Sequence, residues 1–408
     1  MDRHFESTFH KVGQGLFYSL DTADFHMVYD CGSQDPSASI REAQDHRSKI
    51  GDHIDMLVIS HFHEDHINGL EELLKNATVD TIILPYLFPL ERLTLALQFP
   101  GAQQWVHDFL THPIRTLLDT VEKVNYIYVI GAPPDELGPE QDPPDRDYPP
   151  DNNQEPIEND IHQLPIDERT LITIQQDPGY RDKRLKAKCL KYFGWFTTKH
   201  IWEFKYFNIP WDQHQIDALK QCLQTSNVDP NDKDDILEHI KDPTKRAKIG
   251  ACYPISQEPR NNTSIIMYHG PINHKRLLEQ ARPFWPHYPF PYFWSLFEIE
   301  DWGHLLTGDI NLNRGSGVNK YSHEIVAHFS SRKDRIYIAL APHHGSDHNW
   351  HDALLKSLSS CGSWVASAKS TSLYHPGRTV VRDIAANGRV FYLCHEGQEI
   401  VFRARIEY

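Results

Sequence analysis

The chain has 408 residues, of which 39% are hydrophobic and 24% charged, a composition that excludes collagen-like, coiled-coil and wholly disordered proteins. No apolar run approaches the roughly 18 residues of a membrane helix, and Met1–Gly15 lacks the apolar stretch of a signal peptide, so we expect a cytoplasmic protein with no membrane partner. The net charge of −15 argues against a protein that coats duplex DNA with its whole surface. Six scattered cysteines without a C-x-x-C pair predict reduced thiols rather than a disulfide framework.

The hydrophobic pattern divides the chain into three blocks. Residues 1–130 alternate strands with helices and residues 256–408 return to strands, which indicates an α/β fold formed by these two blocks, with 131–255 as an insertion. The helical pattern of Gln103–Lys123 should break at Pro113. The predicted strands are Phe5–Val12, Leu16–Leu20, His26–Asp30, Asp55–Ser60, Thr81–Leu84, Asn125–Ile130, Thr263–His269, Tyr292–Ile299, His304–Thr307, Ile336–Ala341, Ser363–Ala368, Arg389–Cys394 and Ile400–Ile406.

The predicted insertion has two unusual parts. Residues 132–165 contain nine prolines and ten acidic residues, which predicts an exposed, partly disordered loop that could hold a protein partner. Arg181–Lys205 interleaves eight basic residues with aromatic ones. It is either a groove that binds a phosphate backbone while its aromatics stack on bases, or a β-hairpin with packed aromatics and solvated lysines. We favour the hairpin, because strand alternation alone produces this pattern.

The strongest chemical signal is the segment Ser60–His66, which follows a predicted buried strand and has the pattern H-x-H-x-D-H. A turn after the strand can direct His61 and His63 to one point, and Asp65 and His66 to a second. Imidazole nitrogens and carboxylate oxygens are ligands that Zn²⁺ prefers, and they also suit Mn²⁺ or iron. The pattern therefore predicts a metal site.

This motif resembles that of the metallo-β-lactamase superfamily, a group of mostly dinuclear metallohydrolases. His26–Gly32 and Gly303–Asp309 are similar to two further family motifs and stand in the family's order. The resemblance implies a four-layer αββα metallo-β-lactamase sandwich with a large insertion, whose halves are residues 1–130 and 256–408. It also implies two divalent metal ions, zinc first and manganese as the alternative. The implied ligands are His61, His63, Asp65, His66, Asp309 and His375.

Within that set, the resemblance implies that Asp309 is shared by both metals, and that Asp30 orients a ligand histidine. A narrower resemblance, to the soluble hydrolase domain of the bacterial DNA-uptake channel (ComEC-type) family, implies a hydrolase module without the channel. It rests on five segments in the family's order, Val12–Gly15, Asn261–Ile265, Leu306–Asp309, Pro342–Ser346 and Tyr374–Pro376.

One departure from the superfamily concerns the first metal. Asn261 and Asn262 stand where many members have a further metal histidine, so Asn262 is expected beside the metal or substrate. The strand histidine His269 could supply the missing ligand, or it could be packed in the core.

The His343-His344-Gly345-Ser346 turn is a second candidate for chemistry. His344 could donate a proton to a leaving alkoxide or a hydrogen bond to a phosphoryl oxygen. It could also be a turn residue or an extra metal ligand. His343 and Ser346 are expected to contact substrate.

Together, these residues and the resemblance imply a phosphodiesterase or nuclease that uses a water activated by two metals, with Asp65, Asp309 and His344 as catalytic residues. The partner would be nucleic acid or a small phosphodiester, and the negative net charge favours the small one. A carbonyl hydrolase of the lactonase, esterase or β-lactamase kind is the alternative, and a non-catalytic subunit that binds a partner is the third hypothesis.

Overall fold

The computed structural model describes residues 2–87, 101–131, 186–198, 201–209, 213–230, 242–249, 263–272, 274–280, 296–299, 301–313 and 321–408, with 92, 95, 96, 99, 235, 236, 238, 239 and 252. The acidic segment 132–165 and Asn262 lie outside the described residues, so the expectations placed on them stay predictions.

Seventeen strands are present in the described part of the chain. They are β1 Asp2–Phe9, β2 Phe17–Asp21, β3 His26–Cys31, β4 His53–Val58, β5 Thr78–Pro85, β6 Lys123–Ile130, β7 Lys186–Leu190, β8 Phe193–Thr198, β9 Trp202–Asn208, β10 Ile265–Pro271, β11 Arg276–Gln280, β12 Leu296–Glu298, β13 Gly303–Leu306, β14 Ile336–Leu340, β15 Ser363–Ser367, β16 Val390–Cys394 and β17 Ile400–Glu407.

Helices connect many of these strands. They are α1 Pro36–Ile50, α2 Glu64–Ile67, α3 Leu70–Leu74, α4 Gln104–Thr111, α5 Pro113–Thr120, α6 Gln213–Thr225, α7 Pro243–Ile249, α8 Tyr321–His328, α9 Asp352–Ser357 and α10 Arg378–Ala386. The predicted break at Pro113 is confirmed: α4 ends at Thr111, and Pro113 takes the first position of α5, where its missing N–H costs no hydrogen bond.

The strands form two sheets. Over the described residues, the first sheet has the order β12-β11-β17-β1-β2-β3-β4-β5-β6-β7 and the second has the order β16-β15-β14-β13-β10-β9-β8. Strands β3 to β7 run parallel in the first sheet, as do β13 to β16 in the second. The strands that precede the candidate site are therefore parallel, and their carboxyl ends meet at one edge of each sheet.

Three apolar clusters define four layers. One lies between α1 to α5 and the outer face of the first sheet, and it includes Leu57 and Leu73. A second fills the space between the sheets and includes Tyr29 and Met267. The third packs α8, α9 and α10 on the outer face of the second sheet. This helix–sheet–sheet–helix order confirms the predicted αββα sandwich.

Residues 186–208 of the predicted insertion are part of this sandwich. β7 pairs with β6 in the first sheet, whereas β8 and β9 form a hairpin that pairs with β10 in the second. Phe196, Trp202 and Phe204 are buried in the core between the sheets. The hairpin interpretation is therefore confirmed for its packed aromatic side chains, so these three residues cannot stack on bases. The expectation of solvated lysines was wrong for Lys205, which is buried and donates to the His328 carbonyl. The division of the chain into domains otherwise stays a prediction.

The prediction that all cysteines are reduced was wrong for one pair. Cys222 and Cys252 form a disulfide, while the other four cysteines are free and buried. The two partners are 30 residues apart in sequence, and the fold brings their Cα atoms to 5.6 Å, within the usual range for a disulfide. Cysteines so far apart form no local sequence motif, so the pairing could not be predicted from the sequence.

Candidate metal centre

The H-x-H-x-D-H segment lies directly after β4, where the chain leaves the first sheet. His61 is buried and His63 half-buried in the connecting segment, and the short helix α2 then carries Asp65 and His66. Gly32, at the end of the neighbouring strand β3, permits this approach, because a Cβ at that position would lie 2.4 Å from the backbone nitrogen of His66. Gly32, the last residue of the His26–Gly32 motif, is therefore required by close packing against α2.

Asp309 reaches the same place from the second sheet, just after β13. Its backbone nitrogen donates to Oγ of Ser264 at 3.1 Å, and the preceding Gly308 has a φ of +54°, a left-handed conformation that favours glycine. Its Oδ1 lies 3.2 Å from Nε2 of His66, and its Oδ2 lies 3.7 Å from Nε2 of His61. Asp309 is thus central to the candidate centre, with each carboxylate oxygen facing a histidine.

Two groups of metal-donor atoms surround Asp309. The first is His61, His63 and Asp309; the second is Asp65, His66 and His344. Within each group the donor atoms all lie within 4.8 Å of one another. A further group of donors, Asp30 with His61 and His66, overlaps both.

The donors fit divalent metal ions. Nε2 of His61 is buried and has no hydrogen-bond partner, an arrangement that is costly in a protein interior unless the atom binds an ion or a water. The donor sets combine imidazole nitrogen with carboxylate oxygen, which suits zinc and manganese.

Asp30 holds the histidines in place from beneath. Its Oδ2 accepts a hydrogen bond from Nδ1 of His66 at 2.8 Å and another from Oγ of Ser60 at 2.5 Å, and its Oδ1 accepts from the Ser60 backbone nitrogen at 2.6 Å. Oγ of Ser60 lies 2.9 Å from Nδ1 of His61. With the proton of His66 on Nδ1, its Nε2 presents a lone pair to the centre.

His344 faces the centre from the end of β14. Its Nδ1 donates to the Ser367 carbonyl at 2.9 Å, so its Nε2 is directed inward, 3.4 Å from Oδ2 of Asp65 and 3.7 Å from Oδ2 of Asp309. Both His343 and His344 have left-handed backbones, with φ of 49° and 57°. Such a conformation is uncommon outside glycine and is found preferentially at functional sites.

The structure does not bring His375 into either donor group. It is half-buried, and its ring centre lies 5.9 Å from that of His343 and 6.1 Å from that of His344. Among the described residues, the second group is completed by His344, which follows β14, rather than by His375, which follows β15. The metal-ligand role of His375 therefore stays a prediction.

The remaining sequence candidates have varied positions. His269 is packed between the sheets, where its Nε2 lies 2.9 Å from the hydroxyl of Tyr18, so it is not a substitute ligand. Nε2 of His343 lies 3.8 Å from Oδ2 of Asp309. Ser346 is buried, and its backbone nitrogen donates to the His343 carbonyl at 2.9 Å, which closes the turn.

The carboxylates of the centre stay ionised despite their burial. Burial alone would raise the pKa of Asp309, but the positive charges of His66 and His344 outweigh it and hold that pKa well below the usual range. The same balance lowers the pKa of Asp65, where a hydrogen bond with His344 is the largest opposing cause. Burial, assisted by His66, keeps the pKa of His61 well below its ordinary value. Neutral imidazole and ionised carboxylate are the forms that bind metals. His61 already has that form, whereas the neighbouring carboxylates outweigh burial and raise the pKa of His66 and that of His344, so these two must release a proton when a metal binds.

A cavity of about 410 Å³ opens above the donors. Its floor contains Asp65, Asp309 and His344. The other lining residues are Gln14, Gln34, His63, His343, Lys369, Thr371, Ser372, Leu373, Tyr374 and His375. Sequence reasoning named the three histidines and the segments that contain Gln14 and Tyr374, and it missed the other five. The proximity of residues 369–374 to His375 was the signal that could have identified them.

Comparisons with known proteins identify no family for the whole chain. The family model described as "Anti-Pycsar protein Apyc1" matches residues 17–97, which include the H-x-H-x-D-H segment. No curated protein matches. A solved structure, the metallo-beta-lactamase fold protein YhfI from Bacillus subtilis, is matched over 97% of this chain and 99% of that one, with 9% sequence identity and a TM-score of 0.39.

The fold and the two donor groups support a metal-dependent hydrolase in general. The resemblance to the ComEC-type domain stays a prediction. No helix within the described ranges is both long and apolar enough to cross a membrane.

Proposed function

We propose that the protein is a phosphodiesterase that binds two divalent metal ions and acts on a small phosphodiester. The observation that carries this proposal is the position of Asp309, whose two carboxylate oxygens face histidines of different donor groups at the floor of an open cavity. Bound metals would supply an activated water and neutralise charge on a phosphoryl oxygen.

The chain's own residues have distinct roles in this proposal. His61 and His63 with Asp309 would hold one ion, and Asp65, His66 and His344 with Asp309 the other. Asp30 fixes the tautomer of His66 and, through Ser60, the orientation of His61.

Further donors around the cavity favour a phosphodiester over a carbonyl substrate. His343 lies beside Asp309 outside both donor groups, and His375 and Lys369 line the same cavity. Three such groups match the several oxygens of a phosphodiester better than the single oxygen of a carbonyl. His343 and His375 would donate hydrogen bonds to phosphoryl oxygens, a role that the sequence assigned to His344.

The size of the substrate follows from charge and packing. The protein carries a net charge of −15, which repels a long polyanion. In the basic, aromatic segment Arg181–Lys205, Phe196, Trp202 and Phe204 are buried in the core. These side chains therefore cannot stack on the bases of a long single strand. A small diester fits both observations better than a nucleic acid.

The test is metal content by elemental analysis together with cleavage of bis-p-nitrophenyl phosphate and of single- and double-stranded DNA and RNA. We expect about two metals per chain, cleavage of the small diester, and loss of that cleavage in Asp309→Ala and in Asp65→Ala with the fold retained. Asp45→Ala, an exposed carboxylate on α1, is the matched control and should behave as wild type.

Unchanged turnover in both site variants would overturn the assignment of the centre. Bound metal without cleavage of any diester would favour a carbonyl substrate instead. Efficient cleavage of long nucleic acid alone would make the protein a nuclease.

A further inference from the structure

The segment 369–376 forms a fixed rim over the cavity. It follows β15 and is attached at both ends: the backbone nitrogen of Ser370 donates to Glu396 at 3.0 Å, and that of Gly377 donates to the Gly345 carbonyl at 2.8 Å. Inside the segment, the backbone nitrogens of Tyr374 and His375 face Oγ of Ser372 at 3.3 and 2.9 Å. The side chains at its tip are thus presented by an ordered turn.

Two large apolar side chains at this tip face solvent. Leu373 is 90% exposed and Tyr374 is 79% exposed, while the next large hydrophobic side chain in the described part of the chain, Val390, is only 47% exposed. Single exposed apolar residues need no explanation, but these two are adjacent and both line the cavity above the donor groups. Their position therefore indicates contact with a ligand in that cavity.

The residues beside Leu373 and Tyr374 indicate which chemical groups this ligand should have. His375, next to Tyr374, stacks beside His343 with ring centres 5.9 Å apart and ring planes 24° apart, so the rim is continuous with the donor floor. Among the described residues that line the cavity, the permanently charged cation is Lys369, which is exposed. An aromatic surface, a cation and a metal floor around one cavity suit a ligand with both a flat ring and a negative charge.

We propose that Tyr374, supported by Leu373, is the base-recognition residue of the cavity, and that it stacks on the nucleobase of a substrate whose phosphate lies at the donor groups. The inference rests on the proposed function for the phosphate end of the ligand. The tyrosine ring has few rotatable bonds and loses little conformational entropy on stacking. Base stacking on an aromatic side chain tolerates every base, so this contact selects nucleotides as a class.

Binding tests the proposal without requiring turnover. The affinity of the metal-loaded protein for thymidine 5′-monophosphate and for 2-deoxyribose 5-phosphate, which lacks the base, is measured by calorimetry for wild type, Tyr374→Ala, Tyr374→Phe and Val390→Ala. We expect wild type to prefer the nucleotide by about 5- to 150-fold, the range found for one stacked base. Tyr374→Ala should lose that preference, Tyr374→Phe should keep most of it, and Val390→Ala should match wild type.

Turnover separates this proposal from the proposed function. With thymidine 5′-(p-nitrophenyl phosphate) and methyl p-nitrophenyl phosphate, Tyr374→Ala should raise KM for the first substrate only and leave kcat unchanged. Cleavage of neither substrate by a wild type that still prefers the nucleotide would overturn the hydrolase proposal and support the base site. Equal affinity of wild type for the two phosphates, or a preference unchanged in Tyr374→Ala, would overturn the base site while hydrolysis stands. An altered oligomeric state of Tyr374→Ala with unchanged nucleotide affinity would also overturn it, and would assign the tip to self-association.

Discussion

Asp30 and His66, both buried, are joined by a hydrogen bond of 2.8 Å from Nδ1 of the histidine to Oδ2 of the carboxylate. Asp30 also has a left-handed backbone, with a φ of 57°, at the end of β3. This strained conformation directs the carboxylate towards two histidines of the candidate centre. It contacts His66 directly and reaches His61 through the hydroxyl of Ser60.

Asp30→Asn should weaken metal binding more than it weakens the fold. An amide offers one oxygen where the carboxylate offers two, so its NH₂ group would face either the Ser60 nitrogen or His66. If it faces His66, the imidazole proton moves to Nε2 and blocks the lone pair that the metal needs. We expect a 10- to 100-fold rise in the metal Kd, about what outer partners of ligands usually contribute.

A competition titration with a chromogenic chelator measures that Kd, and circular dichroism checks the fold. Asp45→Asn, on the exposed face of α1, is the control. Wild-type metal affinity in a folded Asp30→Asn protein would contradict the role given to Asp30.

His344 and His343 should differ although they are adjacent. Nε2 of His344 belongs to a donor group, so His344→Ala should lose metal and diester turnover together, by at least about 100-fold in turnover. His343 lies outside both groups, so His343→Ala should keep its metal and lose rate alone. Elemental analysis and kinetics on the same samples distinguish the two, and full metal content in a slow His344→Ala protein would return His344 to the role of proton donor.

Lys369→Gln should raise KM for an anionic diester about fivefold at low salt. This factor corresponds to about 1 kcal/mol between two charges at close range in water. Because Lys369 is exposed, the effect should shrink as ionic strength rises from 0.01 to 0.5 M, roughly as the Debye length falls. KM measured across that salt series tests this, with Lys49→Gln on α1 as the control. A loss that did not depend on salt would show that Lys369 acts through packing and not through its charge.

The metal-free protein should lose stability as the pH falls from 7 to 5, in part because of His269. Burial between the sheets lowers the pKa of His269 to about 3, from an ordinary value of 6.5. The unfolded chain therefore takes up a proton below pH 6.5 that the folded protein resists until about pH 3, so acid favours unfolding. At pH 5 this difference amounts to about 2 kcal/mol for the one group.

Urea unfolding at pH 7 and pH 5 in the presence of a chelator measures this effect. In His269→Phe, which keeps a ring of similar shape, the fall in the free energy of unfolding between the two pH values should be smaller by about 2 kcal/mol. Replacement of the exposed His348 by Gln should leave the fall as in wild type. If the free energy of unfolding of His269→Phe fell between pH 7 and pH 5 as much as that of wild type, a neutral, buried His269 would be contradicted.

Much of the centre could be predicted from the sequence because its residues follow strands. The spacing of His61, His63, Asp65 and His66 after an apolar strand is local information. The structure brings the first two into one donor group and the last two into another. The break at Pro113 is local information of the same kind, whereas the layer order was implied by the family resemblance.

The failures have a physical cause as well. His343 and His344 reach the centre through left-handed backbones that no glycine or asparagine at those positions indicates, so the approach of His344 to Asp65 could not be predicted from the motif order. The Cys222–Cys252 pair depends on a long-range approach, which local spacing does not encode. The exposure of Tyr374 likewise depends on how the turn is attached, not on its composition.

The two sheets contribute jointly to each donor group. His61, His63, Asp65 and His66 follow β4 of the first sheet, whereas Asp309 and His344 follow β13 and β14 of the second. An ion bound by either group would therefore cross-link the halves of the sandwich, and its binding free energy would add to that of folding. Occupancy should then be visible as heat resistance, with a melting temperature that rises with metal concentration even in a variant that turns over no substrate.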